Sequence, residues 1–171
     1  MRIADSVGGS YNAFAVQELS DFEFAVTPGY SVERTLSPQI RVADVEQLIA
    51  QDDIIKFIIR PPDRAQWTAD SWLAEIEPML SDLAQVTHAA QEFPQAELSA
   101  LGVSKGSALQ WLAESMDVPA ANVVAMGDMP NDISMLQWAG RAYAVANAHH
   151  EVHAITEQKL PHHDQDAMAA L

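Results

Sequence analysis

The sequence predicts an α/β fold, and three observations carry that reading. Beyond about residue 100, helical and extended patterns alternate. The extended segments there are short, wholly apolar runs of the kind that a parallel sheet buries on both faces. The loop after the first of these runs, Asp128-Met129-Pro130-Asn131-Asp132, carries the densest chemical signal in the chain.

Before about residue 100 the texture differs, and we read residues 1–100 as an α+β region. Ala13–Leu19 and Asp21–Val26 carry aromatic and β-branched residues at near-alternating positions, with Thr27-Pro28-Gly29 as the turn that follows. These are expected to be antiparallel strands. Val42–Ala50 places Val42, Val45, Leu48 and Ile49 at helical spacing. Asp52-Asp53 should end that helix before the apolar run Ile54–Ile59, a buried strand closed by Pro61-Pro62, since proline cannot donate to a ladder. Trp67–Leu83 returns to helical periodicity through Trp72, Leu73, Ile76, Met79, Leu80 and Leu83. Gln85–Ala90 and Gln95–Ala100 are short strand candidates around Pro94.

Residues 101–171 are expected to run α-β-α-β-α. Ser104 suits the N-cap of a helix Lys105–Asp117 whose apolar face would be Leu109, Leu112, Ala113 and Met116. Asn122–Gly127 is the first buried strand, followed by the loop Asp128-Met129-Pro130 and a helix from about Asn131 to Ala139. A second strand at Ala142–Ala146 and a short helix near His149–Thr156 complete the pattern. Parallel strands joined by right-handed helical crossovers bring their carboxyl-end loops to one edge, where open α/β sheets bind ligands.

Composition narrows the function. The 9 Lys+Arg against 24 Asp+Glu leave a net charge of −15, which disfavours nucleic acid and anionic membrane surfaces as partners. Cysteine is absent, so there is no disulfide framework, thiolate metal site or cysteine nucleophile. No apolar run approaches the roughly 20 residues of a membrane helix. Met1-Arg2-Ile3-Ala4-Asp5 lacks the apolar stretch of a secretory signal, so a cytoplasmic location is expected.

Chemistry concentrates in Gly127-Asp128-Met129-Pro130-Asn131-Asp132. Asp128 leaves a strand and Asp132 opens a helix, so both carboxylates face one small volume suited to a hard cation such as magnesium. Gly127 would allow the sharp exit. The helix starting at Asn131 points backbone N–H groups at the same volume, which favours phosphate. Lys105, in the first turn of its own helix, is a second phosphate-directed group. His149, His150 and His153 include an i, i+4 pair compatible with zinc, but they read better as the start of a surface helix.

The stretches Gly102-Val103-Ser104-Lys105-Gly106, Val123–Gly127 with Asp128-Met129-Pro130-Asn131-Asp132-Ile133-Ser134-Met135-Leu136, and Ala146-Asn147-Ala148 together resemble a known family. They are similar to the C-terminal half of the Cof-like subgroup of haloacid dehalogenase (HAD) superfamily phosphatases. The resemblance implies that residues 101–171 form the C-terminal half of a HAD-type Rossmann-like parallel sheet. Residues 1–100 would be an α+β cap-like region. It also implies a magnesium-dependent hydrolase of small phosphorylated metabolites. Lys105 would neutralise the transferring phosphoryl group, Asp128 would bind magnesium, and Asp132 would support the metal or the lysine. Asn131 would hydrogen-bond phosphate or the cation's shell, and Asn147 would stand near the site.

Such phosphatases use an Asp-x-Asp nucleophile segment after an apolar strand. Asp5-Ser6-Val7-Gly8 lacks the second carboxylate, and Asp164-Gln165-Asp166 follows a polar stretch near the end of the sequence. The latter better matches a family loop that usually reads Asn-Asp-Glu-Asp-Gly-Val, with Ala167 in place of glycine; alanine resists positive φ. The expectation is a chain that starts inside the cap and is inactive alone. Its strand Val123–Gly127 would present an apolar edge open to self-association. The alternative is a non-catalytic fragment or assembly module pairing through that edge.

Overall fold

The computed structural model describes residues 12–19, 23–26, 40–42, 47, 56–61 and 63–171, in two compact units. The first contains residues up to Val86 together with Glu92–Leu101, and the second contains Thr87–Gln91 with Gly102–Leu171.

In the first unit the strands are β1 (Asn12–Leu19), β2 (Glu23–Val26), β3 (Ile40–Val42), β4 (Lys56–Arg60), β5 (Gln85–Thr87) and β6 (Ala96–Ser99). They form one sheet in the order β3-β2-β1-β4-β6-β5. β1 pairs antiparallel with both β2 and β4, as the alternating patterns of β1 and β2 imply, and β2 runs parallel to β3. Val42, expected to open a helix, instead ends β3, where it pairs with Val26. A β-branched residue flanked by Ile40 satisfies the sheet as well as the helix. Gln47 is helical, and the rest of that expected helix, with the turn Thr27-Pro28-Gly29 and Asp5, lies outside the described residues.

Helix α1 (Ala69–Leu80) starts two residues after Trp67 because Thr68 caps it. Its hydroxyl accepts from the Ser71 N–H while the Ser71 hydroxyl accepts from the Thr68 N–H. The α1 face Trp72, Ile76 and Leu80 packs with Ile59, Val86, Ala96 and Leu98 in a core whose members are at most 6% exposed. The buried Trp72 indole also donates to the Ile59 carbonyl at 3.0 Å, so its one polar atom is satisfied.

The second unit holds α2 (Lys105–Ser115), β7 (Val124–Gly127), α3 (Ile133–Trp138), β8 (Arg141–Val145), α4 (His150–Ile155) and β9 (Gln158–Leu160). Its sheet is parallel throughout, in the order β7-β8-β9, as the apolar strand runs imply. Ala125, Leu136, Ala144 and Val152 form the core beneath α3 and α4.

Helix α2 presents a different face from the one expected. Gly106 and Ala113 are buried and Leu109 packs on the core, whereas Leu112 is 48% and Met116 63% exposed. The reason is close approach to α3. A Cβ on Gly106 would lie 2.6 Å from the Ser134 backbone, so the line of contact runs through Gly106 and its neighbours one and two turns on.

Candidate active site

The carboxyl ends of all three parallel strands of the second unit carry polar side chains: Asp128 after β7, Asn147 after β8 and His163 after β9. Ser104 caps α2 with its hydroxyl on the Ser107 N–H, and this fixes Lys105 in the first helical position. From there the Lys105 ammonium forms an ion pair with Asp132 Oδ1 and lies 3.3 Å from Asn131 Oδ1. The helix start is anchored to α3 as well, since the Gly106 N–H donates to Ser134 Oγ at 3.1 Å.

Asp132 is buried, and donors occupy both of its oxygens. Oδ1 takes Lys105, while Oδ2 accepts the backbone N–H groups of Asp128 at 3.0 Å and Met129 at 3.1 Å. The carboxylate therefore ties the loop after β7 to the α2 lysine. Burial works against its charge, but the Lys105 hydrogen bond, the two backbone donors and the lysine charge outweigh it and hold the Asp132 pKa below the ordinary value. Asp128 shifts the other way. Burial raises its pKa first; the neighbouring Asp132 charge and carboxyl contact add to this, and Lys105 and His163 oppose it.

Gly127 serves a different purpose from the one expected of it. Its φ is not positive; a Cβ there would lie 2.6 Å from Asp132 Cβ and 2.9 Å from Asp132 Oδ2. Glycine makes room for the buried carboxylate. The helical start expected at Asn131 is a short 3-10 turn, Pro130–Asp132, and α3 proper begins at Ile133. The first backbone donors of this loop point at Asp132.

Asn147 joins the β8 and β9 ends. Its Oδ1 accepts the His163 backbone N–H at 3.0 Å, and its Nδ2 meets His163 Nδ1. The positive φ in the C-terminal loop falls on Asp166 (φ 53°), not on Ala167, which is buried. Aspartate tolerates the left-handed region, so the departure from glycine at 167 is accommodated. The loop after β7 in turn accepts a 2.7 Å hydrogen bond from the His149 N–H at the Asp128 carbonyl. His149 is itself buried as the N-cap of α4, accepting from the Glu151 N–H, and His153 Nε2 faces the Ala146 carbonyl. The zinc-compatible pair is thus engaged in capping and loop contacts at a surface helix start, where His150 and Glu151 are exposed and only the capping His149 is buried.

Lys105, Asn131, Asp132 and Asp128 are brought together as the motif spacing implied. Ser134 and His163 were not singled out. Ser134 is an ordinary helix residue whose only cue is the glycine that faces it, and His163 is placed by a contact 16 residues away.

The second unit is thus an α/β body whose parallel sheet carries an aspartate loop after one strand, joined by an ion pair to a lysine on the preceding helix. The family profile for haloacid dehalogenase-like hydrolases matches residues 30–171, and the chain belongs to that family. Phosphatase YwpJ of Bacillus subtilis (strain 168) is 36% identical over 88 residues, covering 52% of this chain and 30% of YwpJ. A haloacid dehalogenase-like hydrolase structure from B. subtilis matches 98% of this chain and 66% of its own, with TM-score 0.72 at 18% identity. The HAD subclass IIB sugar phosphatase BT4131 matches 99% of this chain and 63% of its own, with TM-score 0.72 at 16% identity. At such identities the two structures speak for the fold alone. The chain thus spans under a third of YwpJ and no more than about two thirds of these two solved structures. Among the described residues, no helix is long and apolar enough to cross a membrane.

Proposed function

We propose that residues 101–171 supply the metal-and-lysine half of a magnesium-dependent phosphatase site acting on small phosphorylated metabolites, with residues 1–100 as a cap-like region. The observation that supports this best is the division of labour between two carboxylates. Asp132 is filled by three N–H donors and holds Lys105. Asp128 is partly buried beside a second negative charge, which raises its pKa and which a cation would relieve. The donor set fits a hard cation. Asp128 would hold magnesium, with Asn131 close by, and magnesium would neutralise charge on phosphoryl oxygens. Lys105 binds and neutralises the phosphoryl group, Asn131 positions it, and Asp132 orients the lysine rather than the metal. Phosphatase YwpJ, which carries its activity in its name, supports the reaction class. The acidic composition, which disfavours anionic membrane surfaces, supports a cytoplasmic setting.

The 171 residues contain no Asp-x-Asp after an apolar strand, so the chain on its own is expected to bind magnesium and phosphate weakly and to turn nothing over. Hydrolysis of p-nitrophenyl phosphate with and without magnesium tests this. Absence of turnover, together with calorimetric phosphate binding that Lys105→Ala removes, is the expected result. Magnesium-dependent hydrolysis abolished by Asp128→Ala would overturn the inactivity. Phosphate binding indifferent to Lys105 would overturn the site.

A second reading, an assembly module, is favoured by β7 lying at one edge of its sheet with Val124 40% exposed. Sedimentation of the chain as a stable dimer that loses its association on Val124→Lys would favour it.

A further inference from the structure

The loop after β9 presents a histidine whose orientation and proton position are both dictated by Asn147. A backbone N–H can only donate, so the 3.0 Å contact from the His163 N–H identifies its partner on Asn147 as the carbonyl Oδ1. The other arm of the amide is then the NH2 group, which can only donate. Its contact with His163 Nδ1 therefore makes Nδ1 an acceptor. In the neutral ring the proton sits on Nε2, at the far side of the imidazole from Asn147. The neighbouring His162 ring lies against that of His163, with centroids 4.6 Å apart, and its Nδ1 is 2.6 Å from Asp164 Oδ1 in the same loop. His163 itself is solvent-exposed, so its donor edge is open to a ligand.

We propose that His163 is a substrate-contacting residue of this site, its Nε2–H donating to an oxygen of the phosphate held by Lys105 and Asn131, with Asn147 as the positioning residue that fixes its tautomer. The proposal rests on the reading of the site given above. Three strand ends then converge on one ligand: the loop of β7 with Asp128, and the loops of β8 and β9 acting as a single unit through Asn147 and His163. A purely structural tether needs only the backbone bond; the second bond, to the ring, orients a side chain.

Long-range proton–nitrogen correlation spectra of the 15N-labelled 171-residue chain, titrated with inorganic phosphate in the presence of magnesium, test this directly. The expected result is a protonated Nε2 and a bare Nδ1 on His163, with phosphate shifting the Nε2 resonance. His163→Phe should weaken phosphate binding about tenfold, the size of one lost hydrogen bond to a charged oxygen, and His163→Gln should recover part of it. Asn147→Asp should move the proton to Nδ1, because a carboxylate only accepts. An Nδ1–H ring in the unsubstituted chain would overturn the proposal without reliance on any variant folding. So would unmoved ring resonances in a chain whose phosphate binding is lost on Lys105→Ala; the site reading would then stand and His163 would fall. Phosphate that does not bind, or binds without need of Lys105, would remove both.

Discussion

Lys105 and Asp132, 27 positions apart in the chain, are joined by an ion pair in which the carboxylate is buried and the ammonium is half exposed. The pair links the first turn of α2 to the loop after β7. Its other anchor is the pair of backbone N–H groups of Asp128 and Met129. Removing the carboxylate would leave those two donors with no acceptor inside the protein. Asp132→Ala is therefore expected to destabilise the fold by about 2–4 kcal/mol. Lys105→Met, which leaves the buried acceptor holding both backbone donors, should cost less. Urea unfolding of both variants checks the order, and a smaller loss for Asp132→Ala would contradict the geometry.

Glycine at 127 answers to the same carboxylate. A methyl group there would sit 2.6 Å from Asp132 Cβ and 2.9 Å from its Cγ, so Asp132 must move and the loop with it. Gly127→Ala is expected to cost about 1–3 kcal/mol and to weaken phosphate binding by displacing Lys105 as well. If Gly127→Ala kept full stability and unchanged binding, the buried position of Asp132 would be wrong.

The layout of the second unit was legible because several independent signals agreed. Apolar strand runs fixed a parallel sheet, Ser104 marked a helix start, and Asp128 to Asp132 fell at a strand's carboxyl end. What could not be read was direction. Helical spacing puts Leu109, Leu112, Ala113 and Met116 on one broad stripe, and the same stripe rotated slightly gives Gly106, Leu109 and Ala113. The choice between them is made by the fit of Gly106 against Ser134, which no periodicity encodes. Likewise, spacing brought Asp128 and Asp132 together but gave no sign that backbone donors and lysine saturate one and leave the other as the cation's candidate. Val42 shows the same limit in the first unit, where β-branching fits the end of β3 as well as the start of a helix.

The rotated face of α2 is itself testable. Leu112 and Met116 stand largely in solvent, as does Trp111 at 71% exposure, whereas Leu136 is 3% exposed in the core. Leu112→Ala and Met116→Ala should each change stability by less than about 1 kcal/mol, and Leu136→Ala should cost roughly 2–5 kcal/mol. Chemical denaturation of the three variants separates the two orientations of the helix, because the face first expected would make Leu112 as costly as Leu136.

The opposite pKa shifts of Asp132 and Asp128 give opposite dependences of stability on pH. A lowered folded-state pKa means that Asp132 contributes stability fully above the ordinary carboxylate range. That contribution fades as pH falls below about 4 and through the lowered value. The deficit of Asp132→Asn should therefore be largest at neutral pH and shrink in acid. Asp128, with its pKa raised, binds its proton more tightly folded than unfolded. It costs stability as pH rises from the ordinary carboxylate range through the raised value, and that cost persists at neutral pH. Asp128→Asn should then melt above the unsubstituted chain at pH 7 without divalent ions and level with it near pH 3. Saturating magnesium should reverse the order at pH 7, because it binds and stabilises only the folded chain that keeps the carboxylate. Calorimetric melts at both pH values, with and without magnesium, decide the matter. An Asp128→Asn variant that is less stable than the unsubstituted chain at pH 7 in the absence of magnesium would mean that Asp128 has a partner in the folded protein that relieves its charge, and its assignment as the cation ligand would fail.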